Sequence, residues 1–516
     1  MKKVFALLLS ILLMLSMFSA CGGSKGNVER EGNTAKDVEI AVWSAGGGTQ
    51  WLTNLVNAFN AKQSEYHVYF SESANSDAVT AAYGMPDIDT VDLYLSYVKH
   101  MDTTYMEPLD EIILAATADG DQKPIGEKFD KGYLALEESP DGKHYTLTYN
   151  GGVISLFYNK DLFAQAGITQ LPRTTDELSV VCDTLYSKGI TPLCHFGGIG
   201  YYEYMTDVFI AQYGGIEAFQ KFYMCEDASG VSPSKEVFTN KDGRYQALKA
   251  YEKFITPEYT LMGSNTKTHT EIQTEFINDR AAMMVNGSWL QNEMKSTGNV
   301  DKLGEMKSPV LSSIIENLTT VKSDMALRKV ITAVDQVTDG EKMLSDFQNG
   351  DGYLVEGMQI SAEDWDAIYA ARNTLAANFS GHDAFIPTYS KSKEGAAEFL
   401  KFMYSDEGYT IYANTTKCPW PMTLSTGEQI DTAAFNSFEQ RQFELLGSAQ
   451  YLVDSSTAMK HRIFVDGGAT PYAGVTFVEK FCSQNAADRK NADEIWEKVI
   501  AAVNDNYEAN WLKNIK

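Results

Sequence analysis

The sequence predicts an α/β fold of two lobes built on parallel sheets, and three observations carry that expectation. First, Val38 to Trp43 alternates and is rich in β-formers. Gln50 to Lys62 then sets Trp51, Leu55, Val56 and Phe59 on one helical face, and His67 to Phe70 reads as a second strand. A strand, helix and strand at this spacing form a βαβ unit, whose strands run parallel. Second, 516 residues are too many for one small domain at roughly 150 residues each. Third, 44% hydrophobic and 22% charged residues are globular values, which excludes a disordered chain.

Later elements follow in order. Gly84-Met85-Pro86-Asp87-Ile88 ends a helix and enters a strand from Thr90 to Leu95. Asp141-Gly142-Lys143 is a hairpin-type turn before Tyr145 to Tyr149, and Ile154 to Tyr158 is another strand. Asp161 to Gln165 begins a helix that stops at Gly167, and Pro172 precedes a further one. Helical stretches between Ser312 and Ser380 include Asp364 to Ala376. Lys393 to Tyr404 and Ala486 to Asn506 are amphipathic helices. No internal repeat occurs.

The N-terminus sets the compartment. Lys2 and Lys3 precede an apolar run from Val4 to Met17, shorter than the ~20 residues of a membrane-spanning helix, so a signal peptide is expected. The run ends in Phe18-Ser19-Ala20-Cys21-Gly22, which resembles the lipobox of bacterial lipoproteins. Residues 1–20 are then the signal peptide and Cys21 the lipidated residue. Residues 21–36 are a flexible tether, with Val28 the single β-branched aliphatic in Gly22 to Lys36. Two acyl chains hold a protein stably at a membrane. A formal GxSxG match at Gly22 to Gly26 lacks the strand and helix that a nucleophile elbow needs. The five remaining cysteines, Cys182, Cys194, Cys225, Cys418 and Cys482, are odd in number and irregularly spaced, so one disulfide or none is expected.

With 43 Lys and Arg against 69 Asp and Glu, the net charge is 43 − 69 = −26. A nucleic-acid or extensive anionic-lipid surface is excluded by repulsion. No P-loop, HExxH or strand-placed GxGxxG is present, and the seven histidines show no metal-ligand spacing, so no cofactor and no metal are expected. Among 69 acidic residues some pair will always imitate a glycosidase dyad, so none carries information.

The ordered set of signals is recognisable. It begins with the strand ending in Trp43, its Gly-rich turn and the helix through Phe59-Asn60. Met85-Pro86-Asp87-Ile88 and Glu107-Pro108-Leu109 follow, then Leu156-Phe157-Tyr158-Asn159-Lys160-Asp161-Leu162-Phe163 and Ala166-Gly167-Ile168. Ala281-Ala282-Met283, Asn286-Gly287-Ser288-Trp289 and Glu394-Gly395-Ala396-Ala397 complete it. The chain resembles the extracellular solute-binding proteins of ABC importers, in the carbohydrate-binding branch that includes maltose-binding protein. The resemblance implies a periplasmic-binding-protein-like fold with a hinge and an interlobe cleft. It divides the chain into a first N-terminal-lobe segment (37–149) and a first C-terminal-lobe segment (150–308). An N-terminal-lobe return with an insertion (309–420) and closing C-terminal-lobe helices (421–516) follow.

Candidate ligand-binding residues follow from this frame. Parallel sheets bind ligands at the carboxyl ends of their strands. The loop after the first strand offers Ser44, Gly47, Thr49 and Gln50, with glycines that let a ligand approach bare backbone. The resemblance places Trp289 at the cleft, where an indole face stacks on a sugar. Trp43 either borders the cleft or closes the strand's core. Ser96 and Tyr97 follow a strand end, Asn150 and Gly152 fall at the family's hinge, and Tyr204 aligns near a stacking tyrosine. The family's acidic contact would fall near Gly152, where this chain has none. Glu203 is a hydroxyl acceptor, and Trp420 lies on a Pro-flanked loop returning towards the cleft. Asp87 more plausibly orders its strand, and Tyr472 and Asp466 are weaker candidates. The expected function is a lipid-anchored, monomeric, non-enzymatic subunit that captures a sugar or oligosaccharide and hands it to ABC permeases driven by a partner ATPase. A tethered glycoside hydrolase and a sensor reporting to a membrane kinase are the alternatives.

Overall fold

The computed structural model describes residues 36–44, 48–97, 103–139, 141–197, 200–297, 300–337, 341–454 and 461–515. The signal peptide, Cys21, most of the tether and Gly47 lie outside the described residues. Strands β1 (Lys36–Trp43), β2 (Tyr66–Ser73), β3 (Leu93–Ser96) and β4 (Leu147–Thr148) belong to a first lobe. The second lobe follows with β5 (Val153–Asn159), β6 (Met283–Gly287) and β7 (Leu303–Met306), then the hairpin strands β8 (Gln348–Asn349), β9 (Gly352–Val355) and β10 (Met358–Ser361), and β11 (Thr374–Ala377). Strand β12 (Asp383–Phe385) returns to the first lobe and β13 (Tyr451–Val453) to the second.

The first sheet has the order β2-β1-β3-β12-β4. Its βαβ unit is as the sequence predicts: β1 runs parallel to β2 in the register Val38↔Val68, joined by a helix over Gln50–Lys62. Val38, Ile40 and Val42 meet Leu52, Leu55 and Phe59 in one core. Burial on this scale supplies about 1.5–3 kcal/mol per large aliphatic side chain. The second sheet has the order β13-β11-β5-β6, with β7 also paired to β5. Residues Val153 to Phe157 of β5 are buried without interruption, as a central strand covered on both faces requires. The Tyr158-Asn159-Lys160 motif is a helix start: the Asn159 side chain accepts from the Asp161 and Leu162 N–H groups. That helix ends at Gly167, which is left-handed at φ 78°.

The expected return to the first lobe at residue 309 does not hold. Leu327, Val330 and Ile331 of the Asp324–Gln336 helix, and Trp365 and Ile368 of the Ala362–Arg372 helix, share the second lobe's core with Met205 and Phe209. The hairpin β8–β10 docks there too, with Tyr353 stacked on Trp365 at 4.4 Å. The chain recrosses only between Ala377 and Asp383. Similarly, the closing segment enters the second lobe near Ser437 rather than 421, because Met422, Ile430 and Phe435 still pack in the first. All five described cysteines are buried with free thiols.

Two crossings run side by side at the hinge. The Tyr149 N–H donates to the His382 carbonyl at 2.9 Å, the Asn378 N–H to the Gly152 carbonyl at 3.1 Å, and the Gly152 N–H to Asn378 Oδ1 at 3.0 Å. Glycine is required here for space. A Cβ on Gly152 would stand 1.9 Å from Ser288 Oγ, and one on Gly151, at φ 113°, 2.6 Å from the Asn378 carbonyl oxygen. Gly151→Ala is therefore expected to lower the unfolding free energy by about 2–4 kcal/mol. Gly230→Ala, at φ 83° with open space around it, should cost about 1 kcal/mol. Urea titration of both variants checks the contrast.

Candidate functional site

The hinge crossings floor a cavity between the lobes that encloses about 160 Å³. It is lined by Trp43, Asn150 and His382 from the first-lobe side, by Tyr201, Trp289 and Glu293 from the second, and by Thr416 and Cys418 at the end of the first-lobe helix Asp406–Thr416. This is below the ~300 Å³ at the small end of ligand sites, so a ligand larger than one ring projects out of it. A larger cavity of about 880 Å³, lined by residues such as Lys307, Tyr369 and Arg441, shares no residue with the hinge. The smaller one has the better claim, because both lobes and the crossing segments converge on it.

Trp289 stands immediately before a short helix, Leu290–Met294. Its ring covers Gly287, where a Cβ would lie 2.1 Å from ring carbons, so the Asn286-Gly287-Ser288-Trp289 motif is a seat for the indole. Tyr201 meets that ring edge-on at 5.9 Å. Across the cavity Trp43 stacks on His382 at 5.2 Å and 3°, and donates its Nε1–H to the Ala74 carbonyl at 3.3 Å. Trp43 therefore borders the cleft. His382 Nδ1 is buried without a hydrogen-bond partner, and burial pushes the imidazole down to about 4, so the ring is neutral at physiological pH. Asn150 is fixed by Tyr412, whose hydroxyl donates to its Oδ1 at 3.1 Å. Asn292 Nδ2 donates to the Thr416 carbonyl at 2.9 Å, tying the second lobe to the first-lobe helix Asp406–Thr416.

Other sequence candidates sit elsewhere. Trp420 is 0% exposed, stacked on Tyr412 at 4.0 Å and on Tyr409 at 5.5 Å, so it is a first-lobe core residue with no face open to ligand. The register at Tyr204 is displaced by three: Tyr204 packs against Tyr201, and it is Tyr201 that reaches Trp289 and the cavity. Gly152 is not among the residues that line this cavity and serves the close packing against Ser288. Ser96 is wholly buried in β3. Tyr97 is half-buried, 6.5 Å from Trp43. Thr49 spends its hydroxyl on Glu72, exposed Gln50 bonds Asn54, and Ser44 uses its N–H on the Ser73 carbonyl. Asp87 is exposed, and its expected ordering role belongs to Asp89, which accepts from Val91 N–H and from the Tyr94 and Tyr389 hydroxyls. Tyr472 is buried against the Arg244 carbonyl and Asp466 pairs with Arg462, neither lining the cavity.

Tyr201, Glu293, Asn378 and His382 escaped sequence reading. Tyr201 had one available signal, a bulky residue after Gly200; its φ of 67° turns the chain into the Tyr202–Gly214 helix. In the second sheet, Glu305 of β7 is buried beside Ser155, whose hydroxyl donates to it at 2.8 Å. Burial raises its carboxyl to about 8, so it is mostly protonated at pH 7.

A two-lobed fold with a ring-lined cavity at paired crossings defines a hinged binding protein. The chain belongs to the bacterial extracellular solute-binding protein family, whose model matches residues 31–410. A binding protein of Brucella abortus is 28% identical over 172 residues, 33% of this chain and 38% of the relative, so the match spans under two fifths of that protein. Among solved structures, a chitin oligosaccharide binding protein superposes with TM-score 0.58 at 17% identity, over 92% of this chain and 100% of its own. RafE of Streptococcus pneumoniae gives 0.58 at 14%, over 93% and 99%. GacH of Streptomyces glaucescens gives 0.57 at 16%, over 93% and 100%. At such identities these share the fold.

The Glu305 carboxyl yields a pH prediction. Its folded value of about 8 lies above the unfolded ~4.3, so the folded chain holds a proton that the unfolded chain releases. Its contribution is fully present below pH ~4.3 and is lost as pH rises to about 8. Glu305→Gln should therefore gain stability over the parent from pH 5 to pH 8, by roughly 1.4 kcal/mol per unit of the shift removed. Chemical denaturation across that range measures it.

Proposed function

We propose that the chain is a lipid-anchored capture subunit of an ABC importer that takes a sugar or short oligosaccharide into the interlobe cavity and delivers it to membrane permeases. The observation that carries this reading is the cavity itself: Trp43, Tyr201 and Trp289 offer flat apolar faces while Asn150, Asn378, Thr416 and Glu293 offer polar groups around them. A sugar ring needs both, an apolar C–H face against a ring and hydroxyls against amides and carboxylates. The chitin oligosaccharide binding protein supports the class, as do RafE in complex with raffinose and GacH in complex with acarbose. Capture needs no covalent chemistry. Ligand held by one lobe selects the closed form because the other lobe then contacts it too. The hydrolase alternative needs an acid and a base carboxylate facing each other across the cavity; the described lining brings one carboxylate, Glu293.

Thermal unfolding of the chain from Gly22 onward against mono- and oligosaccharides tests the proposal. A ligand at 1,000 times its dissociation constant adds about 4 kcal/mol to the folded state. One sugar class should raise the midpoint, be recovered unchanged, and lose at least about tenfold in affinity with Trp289→Ala, since a buried ring contact is worth 1.4 kcal/mol or more. Cleaved sugar would move the protein to the hydrolase class. An unchanged midpoint across the whole panel would sink the sugar reading.

A further inference from the structure

The larger cavity, of about 880 Å³, has no part in capture at the hinge. Its volume falls within the roughly 300–1,000 Å³ of small-molecule sites. Both lobes build it. Ile430 and Phe443 on its wall belong to the first lobe's core, and Val334 belongs to the second's. Tyr369 and Asn373 add a ring and an amide.

Two cations share this wall. Lys307 directly follows β7, and Arg441 stands in the Ser437–Gly447 helix that packs on that strand. The Arg441 Nε–H donates to the Glu305 carbonyl at 3.3 Å, two residues before Lys307. The Lys307 side chain is 12% exposed, yet its ammonium has no carboxylate within hydrogen-bond distance among the described residues. It donates to Asn373 Oδ1 at 2.6 Å. The one acid described within 4 Å is Asp335, at 3.9 Å, and Arg372 already holds that carboxylate through Nε and Nη2 at 2.9 Å each. Arg372 is not among the lining residues. It is buried and still leaves Nη1 without a partner, so this corner of the fold is short of acceptors.

The buried cations among the described residues set the comparison. Lys128, Arg244 and Arg372 each have a carboxylate within 2.9 Å, which Lys307 lacks. Two acids are paired with this group, Asp335 and Glu444, against the three cations Lys307, Arg372 and Arg441. Glu444 is 63% exposed, so water screens its 3.1 Å pair with Arg441. Burial, with the charges of Arg372 and Arg441 behind it, pulls the Lys307 ammonium down to about 8 despite Asp335. At pH 7 it is therefore charged and lacks a counter-charge of its own. The chain's net charge of −26 weighs little here, because exposed charges more than about 8 Å away are largely screened at physiological salt.

We infer that this cavity is a second ligand site, separate from the ring-lined one, for a small organic anion whose carboxylate or phosphate meets Lys307 and Arg441. Its apolar or aromatic body lies against Tyr369, Ile430 and Phe443. Arg441 offers a planar fork that fits either anionic group, and Lys307 offers a point charge. A bare inorganic ion would leave the volume and the apolar wall unused. This site stands whether or not the hinge cavity takes a sugar.

Calorimetric titration of the chain from Gly22 onward tests the site with matched pairs that carry no sugar. Benzoate is compared with benzamide and phenyl phosphate with phenol, and inorganic phosphate serves as the bare ion. At least one of the two organic anions should bind tighter than its neutral partner and than inorganic phosphate, by about tenfold or more in about 20 mM salt. That ratio should shrink in about 500 mM salt as the charges are screened. The pair that shows it separates a carboxylate site from a phosphate site. Lys307→Gln or Arg441→Gln should remove the preference, Lys307→Arg should keep part of it, and Trp289→Ala should leave it unchanged. The ligand-free melting midpoint of each variant checks that it folds. No preference for either anion over its neutral partner overturns the inference, as does a preference that survives Lys307→Gln. A preference lost in Trp289→Ala overturns it too, by moving the anion to the hinge cavity. Inorganic phosphate binding as tightly as the organic anions leaves only a bare-ion site and overturns the organic ligand.

Discussion

The paired crossings at Tyr149–Gly152 and Asn378–His382 are the constraint on which the rest of the arrangement depends. Each lobe has its own sheet, and the segments that join them end in Val153, Leu375 and Ala377 of the second sheet, which pack into the first lobe's core. The three hydrogen bonds between the crossings hold the two segments in one register. That register sets which residues face the space between the lobes. Gly152 must be bare because Ser288 stands against it, and Gly151 because Asn378 does. In turn Ser288 belongs to the turn that seats Trp289 over Gly287. A side chain at the crossing would displace the very turn that carries the indole, so hinge and site are one piece of packing.

A second consequence concerns stiffness. Rings that bind a ligand lose little entropy if they are already fixed. Trp289 is held by its cover over Gly287 and by the edge of Tyr201, and Trp43 by the His382 stack and the Ala74 carbonyl. The chain places its preorganised surfaces on elements of different lobes, so each half of the site is fixed by its own neighbours.

Elements with strong periodicity were legible in the sequence. The helix over Gln50–Lys62 falls where the spacing of Trp51, Leu55, Val56 and Phe59 puts it, since one apolar stripe must face the sheet. The segment from Asp364 to Ala376 shows the limit. Its helix stops at Arg372 and Thr374–Ala377 becomes β11, but a four-residue buried apolar strand cannot be told from the end of a helix by pattern. Missing that strand hid its pairing with β5 and moved the expected lobe boundary far upstream. Among site residues, Trp289 and Trp420 look alike in sequence, each beside small or rigid residues in a polar loop. What separates them is the pair of tyrosines, Tyr409 and Tyr412, that sandwich Trp420 from a helix that sequence did not connect with it. Tyr201 and Tyr204 differ by less than one helical turn, and only the left-handed backbone at Tyr201 decides which ring points to the cleft.

Closure follows from which lobe owns which contact. A ligand favours a closed form only through contacts that it makes there and lacks in the open one. Here the first lobe and its crossing supply Trp43, Asn150 and His382, and the second supplies Tyr201, Trp289 and Glu293. Neither set closes the cavity alone: one offers an indole with amide and imidazole edges, the other an indole with a carboxylate. On the proposed capture reading, a ligand resting on Trp289 gains the Trp43 side only by closure of the lobes. The neutral state of His382 suits this role, because a charged imidazole stacked on Trp43 would need water or a counterion that closure expels. On that reading, the differential affinity that capture needs comes from the division of the two tryptophans between the lobes.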